Sequence, residues 1–455
     1  MKYINETLML VLPYIILIST NVIAGDMIKI GVATVDITPK ENIWLAGYGG
    51  RNKPSEGVIH PLHAKAIAFE DESGSRAVIV TTDLIGIHRG LAEEVAGRVR
   101  DEFGIPRARL MLTSSHTHTG PILYGSNLRM FDLSEKEWKT IANYTEFLKR
   151  ALFEVIQNSI LDLSPGSLSF GKEEANVARN RRVSVKGRVS IGNNPVGPTD
   201  PELPVLAAFD TEGNLKAVLF GYACHGTTLT GSHYRICGDY MGFTQEYLDL
   251  AQPGTTSLFV SGCGADANPY PRGTLKDARL NGMTIAGAVA DVLRHEMKPV
   301  SGPIQCNYKL VDLAFAEIPS ASEFQKRLNS KNTAERLYAR HFLDILEKGE
   351  TIPNSYAYPI QVWRFGDDLT LVSLGGEVVV DYALRLKREL ETENLWTIAY
   401  ANDVCGYIGS ARILYEGGYE ADGSTIYYTL PTRWAYDVEE RIISAVHEII
   451  EKMKN

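Results

Sequence analysis

From Ile28 to the C-terminus, short apolar runs alternate with longer segments whose apolar residues recur with a helical period, and no internal repeat or low-complexity stretch interrupts the pattern. A chain patterned in this way has to cover a buried sheet with helices. The apolar runs predict strands over 28–35, 64–69, 77–82, 110–113, 206–209, 217–222, 257–261, 360–365 and 369–374. The periodic segments predict helices over 90–103, 137–157, 276–295, 321–346, 378–391 and 438–453. The fold class that follows is α/β, a mixed β-sheet core flanked by helices, in one large domain over residues 25–455. Residues 172–201 are rich in Asn, Arg, Gly and Pro and read as a long irregular excursion, a kind of segment that often carries binding groups.

Charge narrows the choice of partner. The chain has 46 Lys+Arg against 55 Asp+Glu, a formal net charge of −9, and no Lys/Arg-dense run, so it repels a phosphate backbone and nucleic acid is not expected as a partner. One long apolar stretch, residues 8–18, lies near the N-terminus and is followed by Val22 and Ala24, small or apolar residues at the spacing of a cleavage site. Residues 1–24 are therefore read as a signal peptide, with an uncleaved anchor as the alternative. The remaining chain is expected to be secreted or periplasmic. Five cysteines, an odd number, are too few for a disulfide framework in a chain of this length.

The strongest local signal is Ser114-Ser115-His116-Thr117-His118-Thr119-Gly120-Pro121, which directly follows a predicted strand. Imidazoles two residues apart in extended chain face the same side, so one can bind a metal while the other meets a substrate; the same pair reads equally well as two polar loop histidines. His225, in Tyr222-Ala223-Cys224-His225-Gly226, again ends an apolar run, and on its own it is read as a hydrogen-bonded interior histidine. Glu377 follows Leu374-Gly375-Gly376 and, taken singly, is a carboxylate favoured by the N-terminus of the helix it opens. Together the three change meaning. Each sits at the C-terminal end of a predicted buried strand, where open α/β sheets place ligands, and two imidazoles with one carboxylate form a donor set used by zinc hydrolases. Cys224, Cys237, Cys263 and Cys405 lie close to these segments but lack C-x-x-C spacing, and are read as small buried residues.

Several segments in order carry a family resemblance. Ile30-Gly31-Val32 through Asp36-Ile37-Thr38, Ala46-Gly47-Tyr48, and the stretch from Gly57 to Ala68 resemble the opening of the neutral/alkaline non-lysosomal ceramidases. The His116–Pro121 segment resembles that family's G-T-H-T-H-S-G-P signature, Asn180-Arg181 its N-R-S-P segment, and Gly238-Asp239-Tyr240-Met241-Gly242-Phe243 its G-D-N-x-G-Y segment. Gly376-Glu377 resembles G-E-F-T. Asn402 to Tyr407 and Tyr419-Glu420-Ala421 resemble the final tyrosine segments, with the same interval between the two tyrosines.

The resemblance implies a zinc amidase that cleaves the amide bond of an N-acyl, ceramide-like substrate with zinc-activated water. Zinc (Zn2+) would be held by His116, His225, Glu377 and Tyr407, while His118, Arg181 and Tyr419 would contact the substrate or the developing oxyanion. Asp239 and Asp83 are expected to accept the other ring N–H of the metal histidines. The implied partner is a small-molecule or lipid-like N-acyl compound, with transient contact to a membrane surface. Two departures stand out. The family's G-D-V-S-P-N segment corresponds to Ala265-Asp266-Ala267-Asn268-Pro269, so Asn268 stands at the serine usually assigned to catalysis, and an asparagine donates a hydrogen bond but is no nucleophile. The chain also stops at Asn455, short of the C-terminal β-sandwich domain of full-length ceramidases, so that domain's part in lipid handling is expected to be absent. Two rival readings follow: a zinc hydrolase or lyase for another polar substrate such as a glycoconjugate, and a binding homologue without turnover.

Overall fold

Strand His63–Glu70 shows how the layers arise: Ala64, Ala66 and Ala68 face helices on one side, and Ile67 and Phe69 face a second sheet on the other. With both faces buried, alternate positions are apolar for different reasons, small under the helices and large between the sheets. The computed structural model describes residues 28–126, 130–390 and 392–454. The signal-peptide reading of residues 1–24 lies outside them.

The larger sheet runs in the order Thr256–Ser261, Leu215–Tyr222, Glu202–Asp210, Ser164–Glu174, Ile28–Asp36, His63–Glu70, Arg76–Thr82, Leu110–Ser114, with Lys298–Val300 added beside Ser164–Glu174. Its two outermost pairs are parallel and the pairs between them antiparallel, so the sheet is mixed as expected. The sheet curls until its ends meet, where the Ser261 hydroxyl donates to the Ser115 carbonyl at 3.1 Å. A second sheet, Ile304–Ala314, Ser355–Phe365, Leu369–Leu374 and Leu395–Ile398, packs against the first through Trp363, Phe365, Leu371 and Trp396. Helices Arg89–Phe103, Glu135–Leu161, Asp239–Ala251 and Leu275–Arg294 cover the outer face of the large sheet, and Val380–Glu389 and Val438–Lys454 cover the outer face of the second. The molecule is thus layered helix, sheet, sheet, helix. Among the described residues no helix is long and apolar enough to cross a membrane.

The structure corrects the sequence reading in three places. Residues 172–201 are not irregular: they end strand Ser164–Glu174 and form a hairpin, Ala178–Val185 with Arg188–Asn194, turning at Lys186-Gly187 with φ of 51° and 74°. Two consecutive positive φ values make the turn that fits strand twist. The helix expected over 321–346 is two, Ala321–Arg327 and Thr333–Glu347, because the Asn332 side chain accepts from the Ala334 N–H and starts a new helix. Glu377 does not open a helix; it lies in a two-residue strand, Glu377–Val378, and the helix begins at Val380.

Candidate metal centre and its cleft

Where the large sheet closes on itself, the loops after three of its strands converge. Beyond Leu110–Ser114 the backbone enters the left-handed region at His116 (φ 59°), and the next turn is tied to the loop after Leu215–Tyr222 by the His118 N–H donating to the Gly226 carbonyl at 3.1 Å. A non-glycine residue held there stores strain that the surroundings must enforce. A Cβ on Gly226 would stand 2.5 Å from the His116 carbonyl oxygen, so this close approach requires glycine. The loop after Thr256–Ser261 supplies the Gly264 carbonyl behind His225. Glu377 and Tyr407 come from two short strands paired in parallel, in register with one another, so their side chains leave the same face.

Five donor atoms meet there. His116 Nε2 lies 3.2 Å from His225 Nε2, 3.1 Å from His118 Nε2 and 3.0 Å from Glu377 Oε2. His225 Nε2 is 3.1 Å from the same carboxylate oxygen and 3.2 Å from the Tyr407 hydroxyl. All five side chains are buried. The protons are elsewhere: His116 Nδ1 donates to the Ile85 carbonyl at 2.6 Å, and His225 Nδ1 faces the Gly264 carbonyl at 3.4 Å. In the neutral rings the Nε2 atoms therefore present lone pairs to one another and to the carboxylate. Glu377 Oε2 accordingly has two imidazole nitrogens in reach yet accepts no hydrogen bond, while Oε1 accepts from the Tyr428 hydroxyl. A buried carboxylate oxygen facing lone pairs is costly unless a cation lies between them.

The cluster fits a metal ion. Donors bound at about 2.0–2.1 Å in a tetrahedral shell stand roughly 3.3 Å apart, close to the spacing found. Three buried imidazoles, His116, His118 and His225, offer ligand atoms within 4.8 Å of one another. Burial, then the neighbouring Arg181, pushes the His225 pKa down to about 3, and burial with the flanking His116 and His225 holds His118 well below its ordinary value. Both rings are thus kept neutral, the form that ligates. Burial alone would raise the Glu377 pKa, and positive charge at the His116 and His225 rings outweighs it and favours the carboxylate, a place that a cation bound at their Nε2 atoms would fill. The expected carboxylate partners of the histidines are not there: backbone carbonyls take that place. Asp239 instead accepts from the N–H groups of Leu229 and Tyr240, and Asp83 from His63 N–H and Gln245 Nε2.

Arg181 adjoins the cluster. Its Nη2 donates to the Tyr407 hydroxyl at 2.9 Å, its Nη1 to Asn268 Oδ1 at 3.4 Å, and its Nε to Glu420 at 2.7 Å. Burial would lower its pKa, but Tyr407 and Glu420 more than offset that and hold the guanidinium charged. Tyr419 packs edge-on to Tyr407 with ring centroids 5.3 Å apart. His118, Arg181, Asn268, Tyr407 and Tyr419 all line one cleft of about 560 Å³, together with Tyr48, Thr227, Tyr234 and Arg272. The residues expected to hold metal or to meet the substrate, His116, His118, Arg181, His225, Asn268, Glu377, Tyr407 and Tyr419, are therefore at or beside this point, whereas Asp83 and Asp239 do not hold the histidines. Sequence reasoning missed Tyr428, which donates to Oε1 of Glu377, Glu420, which anchors Arg181, and Tyr400, whose ring stacks on His116 at 4.3 Å. No spacing or composition signal marks these three.

Residues 28–268 match the model of the neutral/alkaline non-lysosomal ceramidase N-terminal region, more than half of the chain. The chain belongs to this family. Among curated family members, the neutral ceramidase of Pseudomonas aeruginosa is 24% identical over 319 residues, covering 65% of this chain and 46% of its own. Neutral ceramidase B of Dictyostelium discoideum is 27% identical over 271 residues (54% and 36%), and the neutral ceramidase of Drosophila melanogaster 26% over 254 (52% and 35%). The matched regions span less than half of each relative. The fold is shared: the crystal structure of the P. aeruginosa neutral ceramidase superposes with a TM-score of 0.69 at 19% identity, covering 90% of this chain and 72% of that one. A ceramidase complexed with C2 gives 0.68 at 18%, with coverages of 90% and 73%. The family match ends at Asn268, before Glu377, Tyr407 and Tyr419.

Proposed function

We propose that this family member is a secreted, zinc-dependent amidohydrolase that cleaves the amide of an N-acyl, ceramide-like substrate. The observation that carries the reading is the convergence of buried lone pairs from His116, His225, Glu377 and Tyr407, a donor set that calls for a cation and matches zinc chemistry. Zinc held by these four residues would lower the pKa of a water to roughly 7 and polarise the scissile carbonyl. The protein supplies the rest. Arg181, charged and fixed by Glu420, points its guanidinium at the cleft beside Tyr407 and stabilises negative charge developing on the carbonyl oxygen. His118, on the cleft wall with its Nε2 3.1 Å from His116 Nε2, meets the substrate beside the metal site. Tyr419 closes the side of the cleft next to Tyr407 and orients the substrate. Asn268 cannot form an acyl-enzyme, so attack is by water.

A second reading is favoured by the lining. Beside Met130, Ile191 and the apolar faces of its tyrosine rings, the cleft carries hydroxyls, an amide, an imidazole and guanidiniums, with which a polar amide could hydrogen-bond. Turnover by zinc-loaded protein of N-acyl sphingoids, other N-acyl amides and acylated sugars separates the readings. Cleavage of at least one amide supports the amidase; cleavage of esters or glycosides alone would replace it, and zinc-loaded protein that binds but turns over nothing would be a binding homologue.

A further inference from the structure

We propose that the cleft contains an oxyanion subsite, built by Arg272, Thr227 and Asn268, which selects substrates carrying a carboxylate, sulfonate or phosphate near the amide. This rests on the amidase reading for the amide, and on the following geometry for the anion.

Thr227 places the two donors side by side. Its carbonyl accepts from Arg272 Nε at 3.0 Å, and its hydroxyl donates to Asn268 Oδ1 at 3.1 Å. The same Asn268 oxygen accepts from Arg181 Nη1. A guanidinium only donates, so the amide orientation is fixed by Arg181, and Nδ2 is the end of Asn268 that remains. Among the described residues neither Asn268 Nδ2 nor Arg272 Nη1 has a hydrogen-bond partner, and neither is sealed from solvent. Both residues line the cleft. The wall they form is made of donors whose neighbouring acceptors are already used.

Among the described residues Arg272 has no carboxylate partner. The partners of Arg272 are all neutral: the Thr227 carbonyl and, at 3.5 Å, the Tyr48 hydroxyl. On the other side of Tyr48 lies Arg51, 3% exposed, whose guanidinium, 5.0 Å from the Tyr48 ring centre, is bonded among the described residues only to the carbonyls of Ala46 and His233, its buried Nε having no partner among them. Among the described residues no Asp or Glu lines the cleft. Arg272 is half-exposed at the cleft with donors left for an anion, while the carboxylates nearby, Glu420 and Glu377, are already engaged by Arg181 and by the histidine cluster. An asparagine in place of the family's serine now has a role: it replaces one hydroxyl with an N–H donor facing the anion.

The test uses zinc-loaded, full-length protein and an isosteric pair, N-hexanoylglycine and N-hexanoylglycinamide, which differ in charge and hardly in shape. N-Hexanoyltaurine and N-hexanoyl-O-phosphoethanolamine distinguish sulfonate and phosphate from carboxylate, and the monopropylamide of adipic acid moves the carboxylate to the acyl side. Wild type is expected to prefer an anionic member over its neutral counterpart in kcat/KM by about 10- to 100-fold, the worth of one or two charge-assisted hydrogen bonds. Arg272→Gln should collapse that ratio towards one, Arg272→Lys should keep part of it, and Arg272→Glu should turn the preference towards N-hexanoylethylenediamine. Compounds that are not cleaved are titrated by calorimetry with wild type and Arg272→Gln. If no amide is cleaved but the anionic compounds still bind more tightly through Arg272, the amidase reading fails and the subsite stands. Equal or better use of the neutral compound by wild type, or a ratio unchanged in Arg272→Gln, overturns the subsite.

Discussion

Single side chains divide into those that hold a cation and those that act on a substrate, and substitution should separate the two. His116→Ala and His225→Ala are expected to lose metal and activity together, as measured by metal content and turnover of the same preparations. Arg181→Ala and Tyr419→Phe should keep the metal and lose rate, with about 10²–10³ in kcat for an oxyanion donor. His118 is the sharper case, because its Nε2 lies 3.1 Å from His116 Nε2 and is spatially a ligand candidate as well. His118→Ala should retain metal; if it empties the site while His116→Ala leaves it full, the two roles are reversed. Asn268→Ala should lower turnover by weakening substrate positioning, and a variant equal to wild type on every substrate would remove Asn268 from the site. The histidines were legible in the sequence because each follows a strand. Tyr428 and Glu420 were not, because their partners Glu377 and Arg181 are 51 and 239 residues away, and contacts at that range leave no local pattern.

Elements position these side chains through close backbone approaches and helix ends. Gly226→Ala would put a methyl group against the His116 carbonyl, and overpacking of this kind costs about 1–3 kcal/mol. Denaturant unfolding should show that loss, accompanied by lower metal occupancy because the His116 and His225 loops are pushed apart. Ser134→Ala is the matched control: it breaks the capping box of helix Glu135–Leu161, a helix that contributes no cleft residue, and should cost about 1 kcal/mol with metal content unchanged. Elements buried on both faces were the legible ones; strand 369–374 falls where the apolar run placed it. Strand Ile304–Ala314 was missed because its residues are largely half-exposed and polar, as was the Ala178–Asn194 hairpin, whose Asn, Arg and Gly content belongs to an edge structure rather than to a loop.

At the scale of the whole molecule, the layers bring loops from opposite ends of a curled sheet to one point, and the cation is expected to bind them together. Removing metal with a chelator should lower Tm, and zinc should restore it more fully than magnesium, since imidazole donors suit zinc and magnesium prefers oxygen. An unchanged Tm would mean that the cluster is held by packing alone. The central claim, that lone pairs of His116, His225, Glu377 and Tyr407 enclose a zinc ion, is tested most directly by anomalous diffraction on crystals of the purified protein, collected on both sides of the zinc absorption edge. One peak per chain, within bonding distance of His116 Nε2, His225 Nε2, Glu377 Oε2 and the Tyr407 hydroxyl and vanishing below the edge, is the expected result. No peak, or a peak bonded away from His116 and His225, would contradict it.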